Sequence, residues 1–516
     1  MLVKTYAAAV QGIDAIVITI ETVVKKGLQY TIVGLPDTAV KESGYRVRTA
    51  ISQSGFSIAH LAAVINMAPA DVRKEGAAYD LPIAVSLLVG SEIIKTDALE
   101  QYMIIGELSL DGSIMPVKGA LPMAICARAA GFKGLILPEA NATEAAVVNR
   151  LEVYGVSNLR QVVGFLTGKE ALEPTVVDTR AEFAAANESF DYDFDEVKGQ
   201  ENVKRAFEVA CAGGHNILLI GSPGAGKSMM AKRLPSILPP LTLGEALETT
   251  KIHSVAGKLK RGSRLMTVRP FRSPHHTISP VAMVGGGNNP LPGEISLAHN
   301  GILFLDEFPE FPRTVLEVLR QPLEDRHISV SRARYQVDYP AAFMLVASMN
   351  PCPCGYYNHP TKRCTCPPGA VTKYLSRISG PLLDRIDIQV EIMPVEFDEL
   401  NSKAKGESSA SIRARVAEAR RIQSERFASE PEIHCNAQMN ARLMQQHCRL
   451  SPQTAEILKK AMKRYDMSAR AYDRILKVAR TVADLAGSPE IEAAHIGEAV
   501  GYRSFDRTAW GTTALF

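Results

Sequence analysis

The run Gly221-Ser222-Pro223-Gly224-Ala225-Gly226-Lys227-Ser228 has the spacing of a phosphate-binding loop. Glycines at these positions let backbone N–H groups wrap a β-phosphate with no Cβ in the way. Lys227 is placed to bridge β- and γ-phosphates, and the Ser228 hydroxyl to ligate Mg²⁺, so the chemistry is that of ATP with Mg²⁺. A chance glycine-rich turn would not need flanking elements. Here His215–Ile220 ahead is strand-like and Ser228–Leu234 behind is helix-like, which is the context this loop requires.

A second constellation follows at Ile302-Leu-Phe-Leu305-Asp306-Glu307, an apolar strand ending in two carboxylates. Asp306 can hold Mg²⁺ through its water shell, and Glu307 can orient or deprotonate the attacking water. Alone, this is a strand ending in a solvated acidic turn; downstream of a phosphate loop it becomes the second half of an ATPase site. Cys352-Pro-Cys354 and Cys364-Thr-Cys366 form two thiol pairs, and four thiolates complete a closed tetrahedral zinc site, structural rather than catalytic. One residue between paired cysteines is fewer than the usual two to four, and His359 can replace one thiolate. A redox pair, or four free thiols in a proline-stiffened loop, are the competing readings.

These groups need a scaffold. Residues 1–166 alternate strand-like segments (Asp14–Val24, Gln29–Val33, Ala59–Asn66, Tyr102–Leu108) with helical ones (Ala39–Ser54, Pro122–Ala130), an α/β unit with no nucleotide fingerprint. Residues 167–195 lose apolar periodicity, as a linker does, and lead into an acidic patch of Asp191, Asp193, Asp195 and Glu196. From 196 to 394 the alternation resumes, with buried-strand candidates at Asn216–Ile220, Gly301–Leu305 and Ala342–Ala347. Residues 395–516 read as a helical domain, with helical spacing over Ser411–Phe427, Ser451–Tyr465 and Ala469–Leu485.

The composition fits this plan. At 516 residues the chain suggests about three folding units, and 22% charged with 46% hydrophobic residues is a globular mixture. A net charge of +3 excludes a uniformly basic nucleic-acid coat but leaves room for a local basic loop. Asp14 and Glu21 interrupt the apolar N-terminal stretch, and no run reaches a membrane span or a signal peptide, so the expected location is cytoplasmic. Eight cysteines are too few for a disulfide scaffold of this length.

Several segments carry a family resemblance. Asp195-Glu-Val-Lys-Gly199-Gln200, the phosphate loop and Pro292-Gly-Glu-Ile-Ser-Leu-Ala-His299-Asn-Gly301 resemble magnesium-chelatase-like AAA+ ATPases, and within them the ComM/YifB competence-protein family. Phe271-Arg-Ser-Pro-His-His276, Asn350-Pro-Cys-Pro-Cys354-Gly355 and Ser379-Gly-Pro-Leu-Leu-Asp-Arg385-Ile-Asp387 are similar to it as well. The resemblance implies a parallel-sheet AAA+ core with a helical lid, working as a homo-oligomeric ring, a hexamer. It makes Asn350 sensor 1, Arg385 an arginine finger reaching a neighbouring subunit's γ-phosphate, and Arg470 sensor 2. Surface pairing with Asp384 or Asp387 is the alternative for Arg385; a solvated helix face is the alternative for Arg470, which has Arg474 nearby. His275 and His276 invite a metal reading. Adjacent histidines on an extended segment point to opposite sides, which favours a packing or loop-interaction role instead.

The N-terminal domain resembles the proteolytic domain of Lon proteases with its chemistry gone. Ile83, in Asp80-Leu-Pro82-Ile83-Ala84, stands where the nucleophilic serine belongs, and Leu121, with Lys118 close by, stands at the lysine position. Without a hydroxyl there, no acyl chemistry runs. Between the two ATPase constellations and sensor 1, Ile328–Tyr339 alternates like a hairpin with a basic tip. In the resembling group this hairpin enters the ring pore, where Arg332 and Arg334 would grip phosphates and Tyr335 would stack on a base. An ordinary solvated hairpin is the alternative. The glycine-rich Met283–Asn289 is a second pore element or a flexible turn. The expected function is an ATP-driven ring motor on DNA, a helicase or branch-migration enzyme in the recombination of incoming DNA, and not an active protease. The other reading is a chelatase- or chaperone-type remodeller of a protein client.

Overall fold

The computed structural model describes residues 1–27, 29–58, 61–179, 190–259, 262, 264–287, 290–332, 335–395, 406–430, 432–465 and 467–503. The N-terminal part is a seven-stranded mixed sheet. Its order is Tyr30–Val33, Leu61–Ala68, Asp14–Lys26, Leu2–Gln11, Tyr102–Ile104, Gly134–Pro138, Glu152–Val156. Leu2–Gln11 and Asp14–Lys26 form one long antiparallel ribbon, and the strands after Leu2–Gln11 run parallel. Helix Thr38–Gln53 begins at an Asp37 cap, whose carboxylate accepts the Val40 N–H at 2.7 Å. Helix Asp80–Gly90 is apolar all round because it is buried all round, between this sheet and its neighbours. The expected strand Tyr102–Leu108 is broken. Tyr102–Ile104 joins the large sheet, while Glu107–Leu108 leaves to pair with Ile114–Met115.

The central part is a five-stranded sheet, parallel throughout, ordered Phe271–Arg272, Ile302–Leu305, Met344–Met349, Ile217–Gly221, Ile388–Ile392. Its inner strands are continuous buried runs, as expected of a sheet covered on both faces. Ile217 and Leu219 face one core with Phe207 and Ile388; Leu218 and Ile220 face another with Leu303, Leu345 and Phe308. The first core continues without a break into the C-terminal helices, taking in Ile412 and Val416 of Ser409–Arg426 and Ile475 and Val482 of Ala469–Leu485. The helical end therefore shares its hydrophobic core with the sheet. No helix among the described residues is long and apolar enough to cross a membrane.

Asn216 and Asp387 tie three strands together at their N-terminal ends. Asn216 accepts the Leu345 N–H on its side-chain oxygen (2.9 Å) and donates its amide to Arg385 O (2.9 Å). Its backbone N–H reaches Asp387 Oδ2 (3.1 Å), and its carbonyl accepts the Asp387 and Ile388 N–H groups. Asp387, 1% exposed, also pairs with Arg474 at 3.2 Å, and His215 Nδ1 lies 3.4 Å away. Burial is the largest single influence and opposes its charge, but Arg474, His215 and Lys477 together outweigh it and hold the carboxyl well below the usual carboxylate range.

A carboxyl depressed in the folded state stabilises above its unfolded value, about pH 4, and loses that contribution as pH falls. Asp387→Ala leaves Arg474 without its buried partner and should cost about 3–5 kcal/mol in urea unfolding at pH 7. The gap to the unsubstituted protein should narrow between about pH 5 and pH 2. A gap that is constant with pH would contradict this account.

Candidate active site

All five central strands run the same way, so their C-terminal ends share one edge, where open parallel sheets place ligands. The phosphate loop leaves Ile217–Gly221 at this edge, and helix Lys227–Ala231 begins directly after it. Gly224 (φ +81°) and Gly226 (φ +86°) hold left-handed backbone that a side chain would strain. Lys227 Nζ donates to Gly221 O (2.7 Å), Ser222 O (3.0 Å) and Asn350 Oδ1 (3.0 Å). Burial holds its ammonium below the usual lysine value, against the pull of Asp306 and Glu307. Ser228 Oγ donates to Asp306 Oδ2 at 2.5 Å, so a hydroxyl and a carboxylate converge, a hard-oxygen donor pair that fits Mg²⁺.

Asp306 follows strand Ile302–Leu305, and its other oxygen accepts a hydrogen bond from Ser348 Oγ. Sequence reasoning missed Ser348. Its signal was a lone hydroxyl in the otherwise apolar run Met344–Met349, and the parallel register of that strand with Ile302–Leu305 brings it to Asp306. Glu307 adopts φ +53° and turns its carboxylate to solvent, 59% exposed, with His276 Nδ1 3.5 Å from Oε2. A non-glycine residue in left-handed backbone marks a site where geometry is held at a cost.

His276 corrects the expectation drawn for the histidine pair. The rings do not point apart: they stack at 4.1 Å, 34° between planes, because the chain has left its strand at Arg272 before reaching them. Phe271 and Arg272 pair in parallel with Ile302 and Leu303, which carries the residues that follow toward the acidic end of the neighbouring strand. His276 thereby meets Glu307 of the neighbouring loop and lies edge-on to Phe311, so it makes both a loop contact and a packing contact. Arg272 is fixed by Glu294 through two hydrogen bonds, 2.6 and 2.7 Å.

Asn350 follows strand Met344–Met349 and leads into the cysteine loop. The four sulfurs of Cys352, Cys354, Cys364 and Cys366 lie within 4.8 Å of one another. Cys352 to Cys354 is 3.3 Å, Cys352 to Cys364 3.7 Å and Cys354 to Cys364 3.5 Å. A tetrahedral site with metal–sulfur bonds of about 2.3 Å needs sulfurs about 3.8 Å apart, so the cluster can hold a metal. Burial would raise the Cys354 thiol, but the N–H groups of Thr365 and Tyr356 with hydrogen bonds from Cys352 and Cys366 together outweigh it and bring that thiol down to about 5. Burial pushes Cys352 up to about 12. His359 is not among the clustered ligands; its Nδ1 accepts the N–H groups of Thr361 (3.2 Å) and Lys362 (3.0 Å).

Arg385, expected to work between subunits, and Arg470, expected to act from the lid, both pair within the chain. Arg385, 8% exposed, donates to Arg320 O (3.1 Å) and Pro381 O (2.6 Å) and pairs with Glu324 at 2.6 Å. Its neighbours Asp384 and Asp387 are taken by Arg470 (3.7 Å) and Arg474 (3.2 Å). Arg470 is the exposed member of that pair, 67%, against 19% for Arg474. The hairpin is present as His327–Arg332 and Tyr335–Pro340, antiparallel, with Arg332 opposite Tyr335. Arg334 lies outside the described residues, as does residue 333; Asn288 and Asn289 of the glycine-rich segment do so too. In the N-terminal part, Ile83 is fully buried inside Asp80–Gly90 and Leu121 is fully buried. Asp80 forms a two-pronged pair with Arg46, 2.9 and 3.1 Å.

A five-stranded parallel sheet carrying a phosphate-loop sequence, an Asp-Glu strand end and Asn350 on one edge, with a helical region behind, defines the magnesium-chelatase-like AAA+ class, which implies an ATPase. Three family models match the chain: "Subunit ChlI of Mg-chelatase" over residues 20–141, "Magnesium chelatase, subunit ChlI" over 193–400 and "Magnesium chelatase, subunit ChlI C-terminal" over 406–503. The chain is 45% identical to YifB of Salmonella typhimurium, over 98% of each chain. It is 41% identical to the competence protein ComM of Haemophilus influenzae, again over 98% of each, and 44% to YifB of Escherichia coli, over 98% of this chain and 97% of that one. It belongs to the YifB/ComM family.

Two substitutions separate binding from turnover. Lys227→Ala should abolish binding of a fluorescent ATP analogue, because it removes the cation from the loop. Glu307→Gln should keep binding within a few-fold yet lower ATP turnover by about 10²-fold or more. Equal loss of binding in both would contradict the assignment of Glu307 to the water.

Proposed function

We propose that this protein is an ATP-hydrolysing ring motor that acts on DNA, as a helicase or branch-migration enzyme in the recombination of incoming DNA. The observation that carries the ATPase part is the convergence of Lys227, Ser228, Asp306 and Asn350 on one sheet edge. Lys227 is bonded to loop carbonyls and Asn350; on binding ATP it would exchange these for phosphate oxygens, with the loop N–H groups cradling the β-phosphate. Ser228 and Asp306 would hold Mg²⁺, which supplies charge neutralisation at the phosphates. Glu307 orients the attacking water, Asn350 polarises it, and His276 sets where the Glu307 carboxylate sits.

Ring assembly gives Arg385 its role. It would exchange Glu324 for the γ-phosphate of the adjacent subunit, so that hydrolysis depends on the hexamer, while Arg470 acts from the lid. The DNA reading rests on the position of the hairpin between the Asp-Glu strand and sensor 1, with Arg332 paired to Tyr335 at its end and Arg334 between them in the sequence, and on the name of the ComM relative, a competence protein. The four thiols are assigned to a structural Zn²⁺, because thiolate ligands and closed tetrahedral spacing suit zinc. The N-terminal part is read as a Lon-like domain without protease activity, since its nucleophile position is the buried Ile83. The setting is cytoplasmic.

ATP turnover measured with single-stranded, duplex and four-way-junction DNA tests the substrate. DNA should stimulate turnover, with a salt-sensitive apparent affinity, and Arg332→Ala/Arg334→Ala should remove the stimulation while basal turnover persists. Turnover indifferent to every DNA, yet dependent on Glu307, would retain the ATPase and overturn the DNA substrate in favour of a protein client.

A further inference from the structure

The cysteine loop does more than follow the sensor strand; it leans on the phosphate loop. Between Met349 and Ala370 the chain forms no helix or strand. Long loops of this kind inside a compact domain need something other than backbone ladders to hold them. The short run Asn350–Gly355 nevertheless meets the phosphate loop at both ends. Asn350 Oδ1 accepts Lys227 Nζ at 3.0 Å. Gly355, in left-handed backbone at φ +83°, approaches Pro223 so closely that a Cβ there would fall 2.4 Å from Pro223 Cδ and 2.7 Å from Cγ.

Two of the four clustered thiols lie inside this run. Cys352 is fully buried, and Gly355 N–H closes a turn onto Cys352 O at 2.9 Å. Cys364 and Cys366 come from the far end of the loop; Cys364 Sγ lies 3.5 Å from Cys354 and 3.7 Å from Cys352, and Cys366 completes the cluster within 4.8 Å. A metal bound to all four would join the run that touches the phosphate loop to the chain that returns toward Ala370. Cross-linking an irregular loop in this way removes conformational freedom that would otherwise carry Gly355 away from Pro223. Pro351 and Pro353 each fix one backbone angle in the same run and leave little slack between the sulfurs and the sensor.

We propose that a thiolate-bound divalent metal, Zn²⁺ by its ligand chemistry, is the brace of the ATP site: it presses Gly355 against Pro223 and holds Asn350 beside Lys227, so that metal occupancy sets nucleotide affinity. This rests on the metal reading of the four thiols and on the ATPase reading of the loop. Cys364 and Cys366 act at a distance, as positioning residues, and Gly355 is where the brace bears on the loop.

The full-length protein, purified without chelator, is assayed for bound zinc by elemental analysis and for the dissociation constant of a fluorescent ATP analogue. It is compared with Cys364→Ser/Cys366→Ser and with Gly355→Ala, each checked for native circular dichroism and thermal unfolding. The expected result is about one zinc per chain in the unsubstituted protein and none in the double variant, with affinity about ten-fold weaker in the latter. Gly355→Ala should keep its zinc and still lose affinity by a similar factor, a combination that general loss of fold would not produce. A double variant that lacks zinc but binds nucleotide as before overturns the brace and leaves the metal site standing. Gly355→Ala with native affinity overturns the contact at Pro223. An unsubstituted protein that binds nucleotide fully with no metal overturns the metal reading and the brace together. A zinc-loaded protein that binds no nucleotide overturns the ATPase reading beneath both.

Discussion

Asn216 is a single side chain bonded to the strands on both sides of its own. Its amide oxygen takes a hydrogen bond from Leu345, its nitrogen gives one to Arg385, and its main chain completes the link to Asp387 and Ile388. A parallel sheet has evenly spaced, slanted hydrogen bonds and little in its ladder that distinguishes one register from the next. A polar node at the N-terminal end removes the ambiguity, since a slip would leave buried donors and acceptors unsatisfied. The opposite ends of the same strands carry Lys227, Ser228, Asp306 and Asn350, so the Lys227–Asn350 and Ser228–Asp306 hydrogen bonds depend on this register.

The same node connects the sheet to the helical end. Asp387 faces Arg474 of helix Ala469–Leu485, and Asp384 faces Arg470 one turn earlier. Arg385 sits between these two carboxylates and turns to Glu324 instead. Three arginines and two aspartates are thus interleaved where the last strand begins, with one hydrophobic core beneath them shared by sheet and helices. Movement of the helical end relative to the sheet would strain the Asp387 pair, which is buried, more than the Asp384 pair, which is exposed and worth little by itself.

The N-terminal sheet is attached to the central part through polar contacts around helix Leu243–Val255. Ser254 Oγ donates to Glu144, whose carboxyl is raised by burial, and Gly119 N–H reaches Ser254 O at 3.2 Å. Lys251 pairs with Asp14 at the ribbon turn. At that turn Gly12 lies against Val337 of the hairpin, close enough that a Cβ would come within 3.0 Å of it. The middle of the hairpin is therefore in contact with the N-terminal sheet, and Tyr339 Oη anchors it further by donating to Pro290 O at 2.5 Å. These contacts give the N-terminal part a physical route to the hairpin that does not pass through the ATP site.

Local chemistry was legible in the amino-acid sequence wherever one segment carries the whole signal. The phosphate loop, the Asp-Glu strand end, the four cysteines and the long C-terminal helices all declare themselves through spacing, because backbone geometry over a few residues depends on those residues alone. The particular groups that complete the site did not. Ser348 is one hydroxyl in an apolar strand until parallel pairing sets it against Asp306. His276 was expected to point away from its neighbour, and only the pairing of Phe271–Arg272 with Ile302–Leu303 carries it to Glu307. The sequence proposed two aspartates for Arg385, and packing chose Glu324. Gly355 shows no need to be glycine until Pro223 is beside it. Pairing register and the close approach of segments distant along the chain are set by the whole core at once, so these contacts belong to the tertiary structure and to no stretch of sequence read alone.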